Sequence, residues 1–86
     1  MSNADDLIWD IQQVQEKMNQ AKFFLGNALG LIEEAQGSLL VLSLGTNNRA
    51  PKTAVNLVGD GKDKTELAIT SLFNAGARLE QWIEDL

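Results

Sequence analysis

Residues 7–44 read LIWDIQQVQEKMNQAKFFLGNALGLIEEAQGSLLVLSL, and apolar side chains recur in this stretch at alternating spacings of four and three. The repeating positions are Leu7, Ile11, Val14, Met18, Ala21, Leu25, Ala28, Ile32, Ala35, Leu39 and Leu42. A seven-residue repeat sustained in this way is typical of one long helix that packs a continuous stripe against another helix. The stretch therefore predicts a first helix over residues 4–44.

The second half of the chain carries a matching repeat. Its positions are Ala54, Val58, Gly61, Thr65, Ala68, Leu72, Ala75, Leu79, Trp82 and Leu86. Between the repeats, Gly45-Thr46-Asn47-Asn48 tolerates turn and left-handed conformations, and Pro51 suits the first turn of a helix. We predict a turn over 45–50 and a second helix over 51–86. Because so short a connection makes helices antiparallel neighbours, the predicted fold is all-α, a two-helix hairpin forming a single domain over 1–86.

Two local signals refine this prediction. Ser2 or Asn3 is placed to cap the first helix, since short polar side chains accept hydrogen bonds from unpaired backbone N–H groups there. In the second helix, Gly59 and Gly61 each cost about 1 kcal/mol relative to alanine. We expect either a frayed helical stretch or a break over residues 59–62.

The two repeats alternate large and small residues. With Ile11 in heptad position a, large side chains occupy a and small ones occupy d. The small d residues are Ala21, Ala28 and Ala35 in the first helix and Ala54, Gly61, Ala68 and Ala75 in the second. Small residues at every other position let two helix axes approach toward the lower end of the usual 8–10 Å range. We expect an alanine-rich seam, with Trp9 and Trp82 at the same end of the hairpin.

Large apolar residues remain outside the two repeats. The candidate interaction surface consists of Trp9, Phe23, Phe24, Leu31, Ile69, Phe73 and Ile83. Full burial of one such side chain is worth about 1.5–3 kcal/mol, and a large exposed apolar patch promotes aggregation. Two interpretations stay open: the residues sit half exposed, as apolar residues often do, or they form a second interface. In the second case two hairpins assemble into a four-helix bundle, or one hairpin docks on another helical protein.

Glycines at Gly26, Gly30 and Gly37 leave a similar choice. Either they allow a partner helix to approach closely, or they mark a weakly constrained helix face. The expected partner is the chain itself, as a homodimer, or another helical protein.

The composition excludes several classes of function. The chain has 86 residues, a formal net charge of −5, no cysteine and no histidine. It therefore lacks disulfides, the commonest general base and the commonest zinc ligand. Its acidity provides no electrostatic surface for nucleic acid, and it has neither a basic helix face nor an apolar run long enough for membrane insertion. We expect no enzyme activity, no cofactor, no metal site and no small-molecule substrate.

Two short motifs resemble functional sites without matching them. Glu33-Glu34 is half of a carboxylate metal site, but bundle di-metal centres also need histidine. Gly59-Asp60-Gly61-Lys62 resembles a phosphate-binding loop, yet it follows no predicted strand and is followed by Asp63 where serine or threonine belongs. Both are interpreted as solvated helix surface.

Two heptad helices around a Gly-Asn turn resemble the WXG-type, early-secreted-antigen-like hairpins of type VII secretion systems, and small alanine-rich helical families of actinobacteria. The similarity covers nearly the whole chain and is architectural. The turn reads Leu44-Gly45-Thr46-Asn47 where that group carries Trp-x-Gly, and Trp82 is followed four residues later by Leu86 rather than an acid. The resemblance implies homo- or heterodimeric four-helix pairing and a role as secreted substrate, partner or chaperone.

The sequence thus predicts a small non-catalytic module for protein–protein interaction. The alternative is an acidic, antitoxin-like or inhibitor-like regulator that binds a protein target. Since the N-terminal residues lack the pattern of a cleavable signal peptide, we expect a cytoplasmic protein, or one secreted without such a peptide as the resemblance implies.

Overall fold

The computed structural model describes residues 3–86 and shows two α-helices joined by a five-residue turn. Helix α1 spans Ala4–Leu44 and helix α2 spans Ala50–Asp85, with no β-strand in the described part of the chain. The Cα atoms extend over 66 × 17 × 15 Å. A 41-residue helix is itself about 62 Å long. The molecule is therefore a rod one helix pair wide, and the predicted all-α hairpin is confirmed.

Contacts between the helices show their direction. The contacting pairs are Gln15–Glu80, Lys22–Phe73 and Gln36–Gly59. Residue numbers rise along α1 as they fall along α2, so the helices are antiparallel. The first residues of α1 and the last of α2 form the open end of the rod, where Trp9 and Trp82 both lie. Residues 45–49 form the turn end.

A capping box starts α1. Asn3 Oδ1 accepts a hydrogen bond from the Asp6 N–H at 3.0 Å, and the Asp6 carboxylate accepts one from the Asn3 N–H at 3.5 Å. This reciprocal pair satisfies two backbone donors that the helix itself leaves unpaired. Asn3 is thus the cap, and Ser2, the other predicted cap, lies outside the described residues.

Side-chain oxygens hold the turn. The Thr46 hydroxyl accepts a hydrogen bond from the Asn48 N–H at 3.1 Å, and Asn48 Oδ1 accepts one from the Ala50 N–H at 2.9 Å. Gly45 ends α1 with a φ of −92°, and no described residue has a positive φ. The turn therefore forms without the left-handed conformation that its glycine and asparagines would tolerate. Pro51 occupies the first turn of α2, where its missing N–H costs no hydrogen bond.

Helix α2 is continuous through residues 59–62, so the break considered above is absent. Val58 and Lys62 are half-buried on either side of the two glycines, and the Thr65 hydroxyl donates a hydrogen bond to the Gly61 carbonyl at 2.8 Å. Helical stability in proteins comes mostly from packing against a neighbour. Contact with α1 therefore offsets the low helix propensity of the glycines.

The helices meet along a half-buried seam that combines the predicted a positions, except the exposed Leu86, with position e. The half-buried d positions along one edge of this seam are Leu7, Ala21, Ala28, Ala54, Gly61 and Ala68. In α1 the seam contains Ile8, Ile11, Gln15, Met18, Lys22, Leu25, Leu29, Ile32, Gln36, Leu39 and Ser43, and in α2 it contains Val55, Val58, Lys62, Thr65, Ile69, Leu72, Gly76, Leu79 and Ile83. Ile11, only 4% exposed, is the one buried side chain among residues 3–86. The seam therefore follows the heptad over the whole rod, but half of its e positions are polar or glycine.

Several predicted d positions lie outside this seam, which corrects part of the alanine-rich seam expected above. Val14 and Trp82 are 49% and 46% exposed, and Ala35, Leu42 and Ala75 are exposed as well. The physical reason is side-chain size. Position e carries isoleucine, leucine or valine at five places across the two helices, and burying these side chains turns the e edge toward the other helix along the whole rod, including the levels at which e is polar or glycine.

Replacing Gly30 by alanine is expected to stabilise the hairpin. Gly30 lies within α1, and a Cβ atom built there would meet nothing within 4 Å. The alanine variant should gain about 1 kcal/mol from helix propensity, which raises the melting temperature of a domain this size by roughly 4–8 °C. Gly59→Ala is the matched control with a smaller gain, because Gln36 Nε2 would lie 3.2 Å from the new Cβ. A loss of stability in Gly30→Ala would contradict the open surface at this position.

Candidate interaction surface

One flank of the hairpin is closed by polar contacts between the helices. Gln15 Nε2 donates a hydrogen bond to Glu80 Oε2 at 3.0 Å, and Lys22 Nζ lies 4.1 Å from the centre of the Phe73 ring. The Gln36–Gly59 contact continues the same line, since each pair joins position e of α1 to position b of α2. We call this the polar flank.

The opposite flank carries the d positions of both helices, and we call it the alanine face. It consists of Leu7, Val14, Ala21, Ala28, Ala35 and Leu42 from α1 and Ala54, Gly61, Ala68, Ala75 and Trp82 from α2. Because the seam keeps the heptad along the rod, residues spaced by seven stay on one flank throughout. At the open end, an apolar groove lined by Leu7, Val14, Leu79 and Trp82 shows that both d lines lie on the same side of the hairpin.

Large exposed side chains border the alanine face. Phe24 and Leu31 of α1 are 67% and 66% exposed, and Leu57 of α2 is 65% exposed. All three occupy position g, next to the d line on the side away from the seam. The face is therefore shallow where alanines line it and flanked by side chains able to pack against another helix.

The seven sequence-predicted site residues fall in three places. Phe24 and Leu31 border the alanine face. Trp9, Phe23 and Phe73 are exposed toward the polar flank, and Phe73 lies beneath Lys22. Ile69 and Ile83 are half-buried in the seam. The rings of Phe23 and Phe24 meet edge to face at 5.8 Å, which is the only ring contact between these residues in the described chain.

Sequence reasoning missed four exposed residues of this surface. Val14, Leu42 and Trp82 belong to the repeats that predict the seam, and Leu57 belongs to neither repeat. The available signal was the heptad itself, because a chain with apolar residues at a, d and e presents an apolar face too wide for one neighbouring helix. Such a face is typical of a helix with two neighbours.

The turn end is also apolar. Leu40, Val41 and Leu44 are 50%, 70% and 87% exposed on different sides of α1. Residues 35–59, which form this end of the rod, contain two basic residues, Arg49 and Lys52, and no acidic residue. The turn end is therefore apolar and has a net positive charge, although the chain as a whole is acidic.

The open end has the opposite charge. Residues 3–20 and 75–86 contain seven acidic residues, Asp5, Asp6, Asp10, Glu16, Glu80, Glu84 and Asp85, against the two basic residues Lys17 and Arg78. The rod is therefore electrically asymmetric along its length. Its two ends attract each other when separate molecules are placed side by side in opposite directions.

The accessible surface is large for a chain of this mass. It measures 6,463 Å², whereas a folded monomer of 9.4 kDa is expected to expose about 5,000 Å². The difference of about 1,400 Å² exceeds the roughly 800 Å² that each partner contributes to a standard protein–protein interface. The surface in excess of that expected for a folded monomer is therefore large enough for one standard interface.

Chemical sites are not evident in the described part of the chain. No group of three or more acidic residues there is arranged to hold a metal ion. The segment Gly59–Asp63 lines a shallow groove with Gln36, but these residues lie inside α2, where backbone N–H groups bond within the helix instead of facing a phosphate. The segment is therefore helix surface and not a phosphate loop.

Neither helix, as described, combines the length and apolar character needed to span a membrane. Comparison with known proteins finds no matching family model, no matching curated protein and no matching solved structure.

Proposed function

We propose that the chain is a small, non-catalytic helical interaction module that packs its alanine face against a second helical hairpin to form a four-helix bundle. The observation that supports this most strongly is the position of the d residues, which lie on one open flank in both helices while a and e form the seam.

This arrangement is that of half a bundle. In a four-helix bundle, each helix contacts two neighbours, one along each edge of its inward face. In the hairpin, the e edge of each helix contacts the other helix, and the d edge is exposed at Val14, Ala35, Leu42, Ala75 and Trp82 and half-buried at its other positions. A second hairpin placed on the alanine face would give each d edge a neighbour, with position a at the centre of the assembly.

The energetics support association as well. The seam of the single hairpin interrupts its apolar residues with Gln15, Lys22, Gln36 and Lys62, and leaves only Ile11 buried. A chain of 86 residues is near the size at which one core gives limited stability. Each large side chain covered at the alanine face would contribute up to about 1.5–3 kcal/mol. Pairing therefore provides burial that the isolated hairpin lacks.

We expect the thermal stability of the chain to depend on association. For a self-associating chain, raising the concentration from about 1 µM to 100 µM shifts the folding free energy by about 2.7 kcal/mol, which should raise the melting temperature by on the order of 5–10 °C. Circular dichroism at the two concentrations measures this shift. A hairpin that needs a different partner instead melts at low temperature at both concentrations.

The result opposite to this prediction is a monomer that is fully helical and melts cooperatively at a high temperature, with the same melting temperature at both concentrations. That result would contradict the proposed module, because the single hairpin would then be stable with its alanine face exposed. The resemblance to type VII secretion hairpins implies one biological setting for pairing; the proposal requires only the pairing itself.

A further inference from the structure

We infer that the second hairpin is another copy of this chain, and that a two-fold axis near Ala28 and Ala68 sets the two rods antiparallel. The inference rests on the proposed pairing and identifies its partner. Three features of the alanine face carry it: the order of side-chain sizes, the register of the two helices and the distribution of charge.

The α1 part of the alanine face matches itself when reversed over the five positions from Val14 to Leu42, and Leu7 extends it toward the open end. From Val14 to Leu42 it reads large, small, small, small, large, with Ala28 at its centre. A two-fold interface uses the same patch on both copies, so the patch must complement its own reversed image. Reversal about Ala28 brings the small residues of two α1 helices together in the middle, where helix axes can approach closely.

The α2 part complements itself differently when it is reversed about Ala68, because its one large residue then meets a small one. Reversal places Gly61 opposite Ala75 of the copy, and it places Trp82 opposite Ala54 of the copy. The large indole, 46% exposed in the single hairpin, then meets the smallest kind of side chain available. This part of the face therefore offers a recess for its own most bulky residue.

One axis serves both helices because of the register within the hairpin. The Gln15–Glu80 and Lys22–Phe73 contacts fix which residues of α1 and α2 lie at the same height. Continuing the same register places Ala28 beside Ala68. Ala28 and Ala68, the residues about which the two parts of the face are reversed, therefore lie at the same height along the rod. Binding to a partner unrelated to this chain would not require them to do so.

Charge selects the antiparallel arrangement. With the rods antiparallel, the turn end, with Arg49 and Lys52, lies beside the acidic open end of the copy. With the rods parallel, two acidic open ends would lie together, and Asp10 would face Asp85 of the copy. Like charges placed together across an interface oppose association.

The net charge of the chain does not oppose pairing at this face. The charged residues that border the alanine face are Asp10, Lys17, Lys64, Arg78 and Asp85, three basic and two acidic. The other ten acidic residues lie at positions b, c and f, away from this face. Two copies, each with a net charge of −5, can therefore meet without placing their acidic surfaces in contact.

A distance between turns tests the arrangement. The chain has no native cysteine, so Asn47→Cys, in the exposed turn, accepts a single nitroxide label without touching the alanine face. The axis near Ala28 places the turn of one copy beside Trp9 of the other. Two labelled turns should then be about 57 Å apart at 1.5 Å of rise per residue, measured by pulsed electron spin resonance on a sample shown by sedimentation to contain two chains.

A disulfide provides a second readout. Ala28→Cys lies next to the proposed axis, so oxidation should join two copies through it, whereas the exposed Ala77→Cys at position f should not cross-link. Dimers with turns within about 25 Å of each other, as 8–10 Å between neighbouring axes would give in parallel rods, would overturn the antiparallel arrangement. So would dimers in which Ala28→Cys fails to cross-link.

The outcomes separate this inference from the proposed function. A chain that stays monomeric at 100 µM and melts at low temperature overturns the second copy as partner, and leaves pairing with a different hairpin in place. A monomer that is fully helical and thermally stable on its own overturns both. Two chains with turns about 57 Å apart support both.

Discussion

Ala75→Glu is expected to separate the paired hairpins without breaking helix α2, so that the variant has the low melting temperature of the single hairpin at every concentration. Ala75 is exposed in the single hairpin and lies on the alanine face of α2, one heptad from Ala68. Glutamate is a good helix former, so α2 should persist. In the pair, however, its side chain would be forced against Gly61 of the copy, and taking its carboxylate out of water costs several kcal/mol, of which Arg78 one turn away offsets only a part. We expect the dissociation constant to rise by on the order of 10²–10³-fold, measured by sedimentation equilibrium.

Ala77→Glu is the matched control. It lies two residues further along α2, is equally exposed and introduces the same charge, but at position f, away from the alanine face. Its dissociation constant should stay within a few-fold of the unaltered chain. If both variants dissociate alike, net charge and not the alanine face controls association. If neither dissociates, the interface lies on another surface.

Leu25→Asp is expected to abolish the cooperative folding of the hairpin. Leu25 is half-buried in the middle of the seam, where α1 cannot fray as it can at an end. The substitution removes apolar burial worth up to about 1.5–3 kcal/mol and places a carboxylate between the helices. Total stabilities of small domains are only about 5–15 kcal/mol. The helical signal of the variant should fall well below that of the unaltered chain at 25 °C, without a cooperative melting transition.

Phe23→Asp tests whether this effect belongs to the seam. Phe23 lies two residues away in the same turn of α1 and is 66% exposed. Its position f is on neither the seam nor the alanine face, so the variant should retain its helical signal, cooperative melting and association. Equal loss of helix in both variants would show that α1 tolerates no charge here, and that the seam is wrongly placed.

The outline of the fold was predictable because its signals are local. Heptad spacing, the Asn3 cap and Pro51 place the helix boundaries within one residue of those observed. The stretch at residues 59–62 was less predictable. The propensity of glycine is a local quantity, whereas the contacts of Val58 and Lys62 with α1 that keep this stretch helical are not.

The position of the seam was the larger difference. Heptad spacing identifies position a without ambiguity, but d and e are neighbouring edges of the same apolar face. Ile83 at e is half-buried whereas its neighbour Trp82 at d is exposed, because the apolar residues spread along position e turn that whole edge toward α1. Once e occupies the seam, the d residues form the partly exposed alanine face. An apolar face of this width, read as a whole, indicates two neighbours for each helix.

Sedimentation equilibrium of the unaltered chain between about 1 and 100 µM, with circular dichroism on the same samples, addresses the pairing of alanine faces most directly. We predict a mass that approaches twice the 9.4 kDa of one chain and helix content that increases together with it. A constant mass of one chain, with both helices fully formed at every concentration, would contradict the account.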